Sequence, residues 1–296
     1  MSKGVLLSVS ASLLFGVLYY YSTVLAPLDG EQIFGWRLLL TVPLLTAYLL
    51  WSGERALIAG IAARLRQPGF ALGVLASAAL LGVQLWLFMW APLQGRGLQV
   101  SLGYFLLPLI MVLTGRVLYR ERLSPLQRAA VACAAFGVGH ELVRLGGVSW
   151  ETLVVALGYP LYFWLRRRLG TGHLGGLWFD MVLLLPLALR FVDAGGAPFA
   201  VFAETPRLIL LVPLLGAISA TALICYIRSA RLLPFGLFGL LGYVEPVLLV
   251  LVALLLGERI EADEWLTYVP IWIAVALLVL EGARHLHRRH ARRATR

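Results

Sequence analysis

Along this chain, apolar runs of near-membrane length follow one another with only short polar breaks. Because a helix rises about 1.5 Å per residue, roughly 20 apolar residues cross the hydrocarbon core of a bilayer. Ten such spans are read, near Gly4 to Leu25, Ile33 to Trp51, Gly69 to Ala91, Leu98 to Tyr119, Leu126 to Leu145, Trp150 to Leu165, Gly172 to Phe191, Arg207 to Ile227, Pro234 to Gly257 and Glu264 to Glu281. A transmembrane barrel would need segments of alternating polarity, and runs such as Val247 to Leu256 do not alternate. Of the 296 residues 60% are apolar and 14% charged, whereas an ordinary soluble domain is about half apolar and a quarter charged. A single soluble core is excluded, and the expectation is an all-α integral membrane protein. Lys3 ahead of the first span resembles a secretory leader. The run is longer than the usual leader core and lacks a clear small-x-small cleavage site, so it is read as a retained helix.

A net charge of +10 could suit nucleic acid, so the positions of the basic residues decide. With the N-terminus inside, eighteen fall on the cytoplasmic side, from Lys3 through Arg55, Arg128 and the Arg166-Arg167-Arg168 run to the six arginines of the tail. Five fall outside (Arg96, Arg144, Arg190, Arg207 and Arg259), and ten of the fifteen acidic residues lie on that outer side too. This is the positive-inside pattern. It predicts a multi-pass protein of the bacterial inner membrane with both termini cytoplasmic, whose basic surplus meets anionic lipid heads rather than nucleic acid. Glu54 to Gln67 carries apolar residues at helical spacing among Arg55, Arg64 and Arg66, the pattern of a short helix lying on the inner membrane face.

The chain also repeats itself. Leu102-Gly103-Tyr104 with Pro108 and Arg120-Glu121-Arg122-Leu123 is echoed by Leu241-Gly242-Tyr243 with Pro246 and Gly257-Glu258-Arg259-Ile260. Phe15-Gly16 and Trp36-Arg37 stand similarly against Tyr159-Pro160 and Phe179-Asp180. A five-helix unit that occurs twice must enter the bilayer upside down the second time, because five is odd. The loops agree: Arg128 follows the first motif, whereas Glu261, Asp263 and Glu264 follow the second. The expected organisation is repeat 1 over residues 1–145, repeat 2 over 146–283 and a basic cytoplasmic tail over 284–296.

An ionisable side chain within a membrane span costs about 2.5 to 3.5 kcal/mol at the helix centre on insertion scales, so each one needs a reason. Glu245 sits about ten residues into its expected span, next to Pro246. Asp180 lies a third of the way through the seventh span, and Arg37 about one turn inside the second. Either these groups bind substrate or protons in a central cavity, or they pair with each other or snorkel to an interface. Gln84, Tyr104, Tyr159, Tyr226 and Tyr243 lie away from span ends and are candidates to line the same cavity, since tyrosine offers apolar area with one polar tip. The reading is thus that Arg37, Gln84, Tyr104, Tyr159, Asp180, Tyr226, Tyr243 and Glu245 bind substrate, with Glu245 and Asp180 also exchanging protons. His140-Glu141 reads as a hydrated pair at the outer end of the fifth span. His285, His287 and His290 belong to a solvated basic tail, and Cys133 and Cys225 are packing residues. No P-loop, GxSxG, HExxH or zinc-spaced cysteine pair occurs. No enzyme, cofactor or metal site is therefore expected. Ala129 to Gly139, rich in small residues, reads as a close helix contact.

Taken together, Gly4-Val5-Leu6-Leu7, Trp36-Arg37, Ser101-Leu102-Gly103-Tyr104-Phe105 with Pro108, Tyr162 with Arg166-Arg167-Arg168, Asp180 ahead of Leu184-Leu185-Pro186, and Tyr243 with Pro246 resemble the RarD branch of the EamA-type drug/metabolite transporter superfamily from end to end. The resemblance implies a ten-helix inner-membrane carrier of two EamA repeats that exports small metabolites or drugs by alternating access. The branch commonly has an acid where this chain has Gln99, asparagines in the third span where this chain has Gln84 and Gln94, and a small residue at Glu245. Some relatives export opine-type metallophores resembling pseudopaline, and a zwitterionic, multi-carboxylate amine would suit the charges of Arg37, Asp180 and Glu245. The same fold could run as an uptake permease, and a lipid flippase would require more arginines along a lateral path. The partners expected are a small-molecule substrate and the lipid bilayer, with monomer and homodimer both open.

Overall fold

The computed structural model describes residues 2–119, 124–145, 148–193, 199–233 and 241–294, and no strand occurs among them. The helices run in the order α1 (Ser2–Val24), α2 (Gly30–Trp51), α3 (Arg55–Arg64), α4 (Pro68–Trp90), α5 (Gly97–Tyr119), α6 (Pro125–Leu145), α7 (Trp150–Leu169), α8 (Leu174–Leu183), α9 (Leu185–Val192), α10 (Ala200–Glu204), α11 (Leu208–Leu232), α12 (Val244–Leu255) and α13 (Trp265–Ala294). Among the described residues, four stretches are long and apolar enough to cross a bilayer: Lys3–Val24, Gly30–Trp51, Pro68–Gln94 and Leu208–Ser229. Gly97–Leu107, Val244–Leu255 and Trp265–Glu281 are shorter apolar stretches. The Arg120 to Leu123 motif and the start of the expected ninth span, 234–240, lie outside the described residues, as do the side chains of Pro108 and of the tail histidines.

Local chemistry sets several of these boundaries. At the start of α2 the Asp29 carboxylate accepts from the Gln32 amide at 2.8 Å, and Gln32 accepts from the Asp29 amide at 3.2 Å. Two amides that the helix cannot bond internally are thereby satisfied. Ser124 and Gln127 do the same for α6, at 3.1 and 3.0 Å. The expected seventh span is not one straight helix. It breaks at Leu184 into α8 and α9, which meet at a 44° bend. Pro186 stands in the first turn of α9, where its missing N–H is harmless, whereas in mid-helix it would remove a bond and clash one turn back. The expected ninth span is also interrupted. The chain turns at Tyr243 and α12 begins at Val244, so Glu245 occupies the first turn of a helix rather than the middle of one.

The chain forms two compact units, one of residues 1–12, 96–160 and 228–296, the other of 13–95 and 161–227. In the first, α5, α6, α12 and α13 pack together, the largest contact being α6 on α13. Leu98, Leu102, Phe105, Leu106 and Leu109 follow the helical period and give α5 one apolar face, which joins Ala130, Ala134, Tyr243, Val250, Tyr268 and Ile271 in the core. Small residues let α6 and α13 approach closely: a Cβ on Gly137 would stand 2.6 Å from the Thr267 carbonyl oxygen. The Ala129 to Gly139 stretch is thus a helix contact, as its composition predicts.

In the second unit, α2 packs against α9, α4 and α8, and α8 packs against α3 and α4. Ile61, Phe70, Val74 and Phe179 form a small core between α3, α4 and α8. The helix expected between Glu54 and Gln67 is therefore present as α3, with Ile61 buried and Arg55, Arg64 and Arg66 exposed. On α2, a Cβ at Gly35 would meet the Ala188 carbonyl oxygen of α9 at 2.7 Å.

Candidate functional site

Arg37 lies on α2, is 2% exposed and so does not snorkel to the surface of its unit. Its Nε donates to the Ser219 hydroxyl of α11 at 2.9 Å, and its guanidinium carbon stands 5.6 Å from the Phe88 ring centroid. Phe88 belongs to a run of edge-to-face rings. Tyr19 lies 4.9 Å from it and Phe15 6.4 Å, and Tyr226 lies 6.1 Å from Phe15. The face of an aromatic ring is electron-rich, so this packing suits a cation. Gln84, one turn before Phe88 on α4, is buried, as is Thr41, one turn after Arg37.

Asp180 does not pair with Arg37. It accepts a hydrogen bond from the Tyr162 hydroxyl at 3.0 Å, and its carboxylate lies 3.9 Å from Nε of Arg166. Arg166 in turn donates to the Tyr162 hydroxyl at 2.7 Å. It also donates from Nε to the Thr171 carbonyl at 3.0 Å and from Nη2 to the carbonyls of Thr171 and His173, the latter at 2.6 Å. Both ends of this pair are enclosed, Arg166 at 5% and Asp180 at 2% exposure. Sequence reading placed Arg166 in a cytoplasmic basic run and both Tyr162 and Arg166 in a resemblance, without assigning either to the site. Their spacing of four places them on one face of α7, which was the signal available, but nothing local points from there to Asp180.

In the first unit, Tyr104 of α5 and Tyr159 of α7 meet hydroxyl to hydroxyl at 3.0 Å, with ring centroids 5.6 Å apart. Tyr243 is buried in the apolar core of that unit. Glu245 is half-buried in the first turn of α12, where the positive end of the helix dipole favours a carboxylate. The eight candidates therefore divide evenly: Arg37, Gln84, Asp180 and Tyr226 in one unit, Tyr104, Tyr159, Tyr243 and Glu245 in the other.

His140-Glu141 belongs to a bonded network. The Thr267 hydroxyl donates to Glu141 at 2.9 Å and stands 3.0 Å from Nδ1 of His140, so that this nitrogen carries the donated proton. Arg144 bridges Glu141, Asp263 and Glu264 at 3.1, 3.1 and 3.0 Å. The Arg144 hydrogen bond holds the exposed Asp263 carboxyl below its ordinary range. No group of three or more His, Cys, Asp or Glu side chains placed to hold a metal ion occurs among the described residues.

Apolar helices of membrane length, with charged side chains enclosed among them, define a multi-pass membrane protein. No protein-family model matches the sequence. The chain is 49% identical to the chloramphenicol-sensitive protein RarD of Pseudomonas aeruginosa over 98% of both chains. It is 42% identical to an uncharacterized transporter of Pasteurella multocida, covering 98% of this chain and all of that one. Protein RarD of Escherichia coli is 28% identical over 95% of both. A solved crystal structure at 19% identity, covering 95% of this chain and 98% of its own, superposes with a TM-score of 0.55 and so shares the fold. The chain belongs to the RarD-type branch of the drug/metabolite transporter superfamily.

Proposed function

We propose that this protein is a secondary active exporter of a small polar or amphoteric metabolite or drug, working by alternating access. In this reading ten spans form two inverted repeats, both termini are cytoplasmic, Arg37 holds a substrate carboxylate, and Asp180 and Glu245 receive a cationic group or exchange protons with it. The observation that carries the reading is Arg37: a guanidinium enclosed on an apolar helix, set between a serine hydroxyl and an aromatic face. Enclosing a charge costs folding energy, which makes an enclosed arginine in an apolar span a candidate for function. Relatives named as transporters match nearly the whole chain, which supports assigning that function to transport.

The test compares spent medium and cell extract, by mass spectrometry, from cells with and without the protein under metal-replete and metal-starved growth. A compound that leaves the medium and accumulates in cells on deletion establishes export and names the substrate; the opposite shift means uptake, and no shift in either defeats the transport reading. Because the Pseudomonas relative is named for chloramphenicol sensitivity, susceptibility to that drug is measured in the same strains. Glu245→Gln should abolish the shift while the protein inserts normally. An unchanged shift in that variant would remove Glu245 from the mechanism.

A further inference from the structure

Among the described residues, the first unit encloses a carboxylate that accepts no hydrogen bond. Glu151 stands in the first turn of α7 and is 1% exposed. Neither of its oxygens accepts a hydrogen bond. Its ion-pair partner among the described residues is Arg96, whose Nε lies 3.6 Å from Oε1 and whose side chain is half in solvent. The neighbouring residue, Thr152, donates through its hydroxyl to the backbone carbonyl of Gln99 at 2.7 Å, which brings Gln99 of α5 alongside this turn of α7. The Gln99 side-chain oxygen is enclosed too and accepts nothing.

The surrounding groups do not fill the gap. Glu258, the other carboxylate at this end of α5, is already engaged, accepting from the Gly97 and Leu98 amides at 2.7 and 2.8 Å. The Ser149 and Thr152 hydroxyls bond each other at 2.6 Å. Among the described residues, the first turns of α5 and α7 therefore hold three enclosed acceptor atoms that accept no hydrogen bond, with Arg96 the cation beside the carboxylate. Native interiors almost always satisfy such atoms, and an enclosed carboxylate demands both donors and compensating charge.

We infer that Glu151 and Gln99 form a binding site for a primary ammonium group. An ammonium of this type has three N–H donors, no acceptor and a positive charge, which matches the three acceptor atoms in number and the carboxylate in sign. A quaternary ammonium has no N–H donor and would leave these acceptors unmet. The inference deepens the proposed function and rests on it, because it assigns the amine to the transported molecule. The substrate class is then a small molecule bearing a primary amine. Val155 and Tyr159 follow Glu151 on the same face of α7. The Tyr104–Tyr159 hydroxyl pair lies about 12 Å further along that helix, beyond the close contact of Gly103 with Val155.

The full chain, purified in detergent, is titrated with butylammonium chloride while thermal unfolding is followed at constant ionic strength. Tetramethylammonium and sodium chlorides serve as the parallel probes. Butylammonium should raise the unfolding temperature in a saturable way and the other two should not. Glu151→Gln should raise the half-saturating concentration by about tenfold or more. Arg96→Ala, at a half-exposed position, removes a competing cation and should lower it severalfold; it also decides the matter if the Glu151 variant fails to fold. An equal response in Glu151→Gln, a weaker response in Arg96→Ala, or the same shift from sodium would overturn the assignment. Butylammonium flux into proteoliposomes is measured separately: saturable binding without flux upholds the site and defeats the transport reading, whereas flux indifferent to both variants defeats the site alone.

Discussion

At the scale of single residues, the charged groups are distinguished by what encloses them. Arg166 and Asp180 neutralise one another out of water, and Arg166 makes further bonds to carbonyls just beyond its own helix. Removing one member strands the other, a loss of about 3 to 5 kcal/mol for a buried pair. Arg166→Gln should therefore destabilise the folded protein by about that amount, and adding Asp180→Asn should recover part of it, read as denaturant unfolding in detergent. Additive losses in the double variant would show that the two groups act independently. Asp263 gives a different prediction, because the Arg144 hydrogen bond lowers its pKa in the folded state. Its contribution is complete above about pH 4, the unfolded carboxyl's range, and disappears as pH falls through the lowered native value. Unfolding temperature followed from about pH 6 to pH 3 should fall with a component that Asp263→Asn lacks; superimposable profiles would remove Asp263 from that acid response. Sequence alone singled out Arg37 and Asp180 as charges out of place, because an apolar run makes them visible. It did not reveal their partners: Ser219 is 182 residues from Arg37, and Tyr162 with Arg166 meets Asp180 only once α7 folds back on α8.

Elements were legible where their ends carry local chemistry. Asp29 with Gln32 starts α2, and α3 lies where the spacing of its apolar residues placed it. Breaks inside apolar runs were harder to see: hydropathy passes through Leu184 and Tyr243 unchanged, while the backbone bends at the first and turns at the second. Proline signals such a break only when its position within the turn is known. Glycine behaves similarly, and α6 offers a direct comparison. Gly137 abuts the Thr267 carbonyl, whereas Gly139 has nothing within 4 Å of where its Cβ would be. Gly137→Ala should destabilise by about 1 to 3 kcal/mol through overpacking. Gly139→Ala should stabilise by up to about 1 kcal/mol, because alanine is the better helix former. Both are read from thermal unfolding, and equal effects at the two sites would contradict the close approach of α6 and α13.

For the whole molecule, membrane residence followed from composition and family from dispersed motifs, because both are properties of many residues at once. The two compact units were not legible. Each is assembled from stretches widely separated in the chain, and no linker or composition change marks where one yields to the other. If the chain spans the membrane an even number of times with its basic loops inside, a reporter active only in the cytoplasm should work when fused to either terminus. Activity at one end alone would require an odd number of spans.

Glu258 fastens the start of α5 by two bonds that point along the helix axis, from a loop that follows α12. Lengthwise sliding of α5 past that loop would break both bonds at once, whereas tilting about the fastened end would preserve them. Within its unit, α5 is thereby pinned at its first turn, and a tilt about Gly97 and Leu98 is the motion those two bonds tolerate.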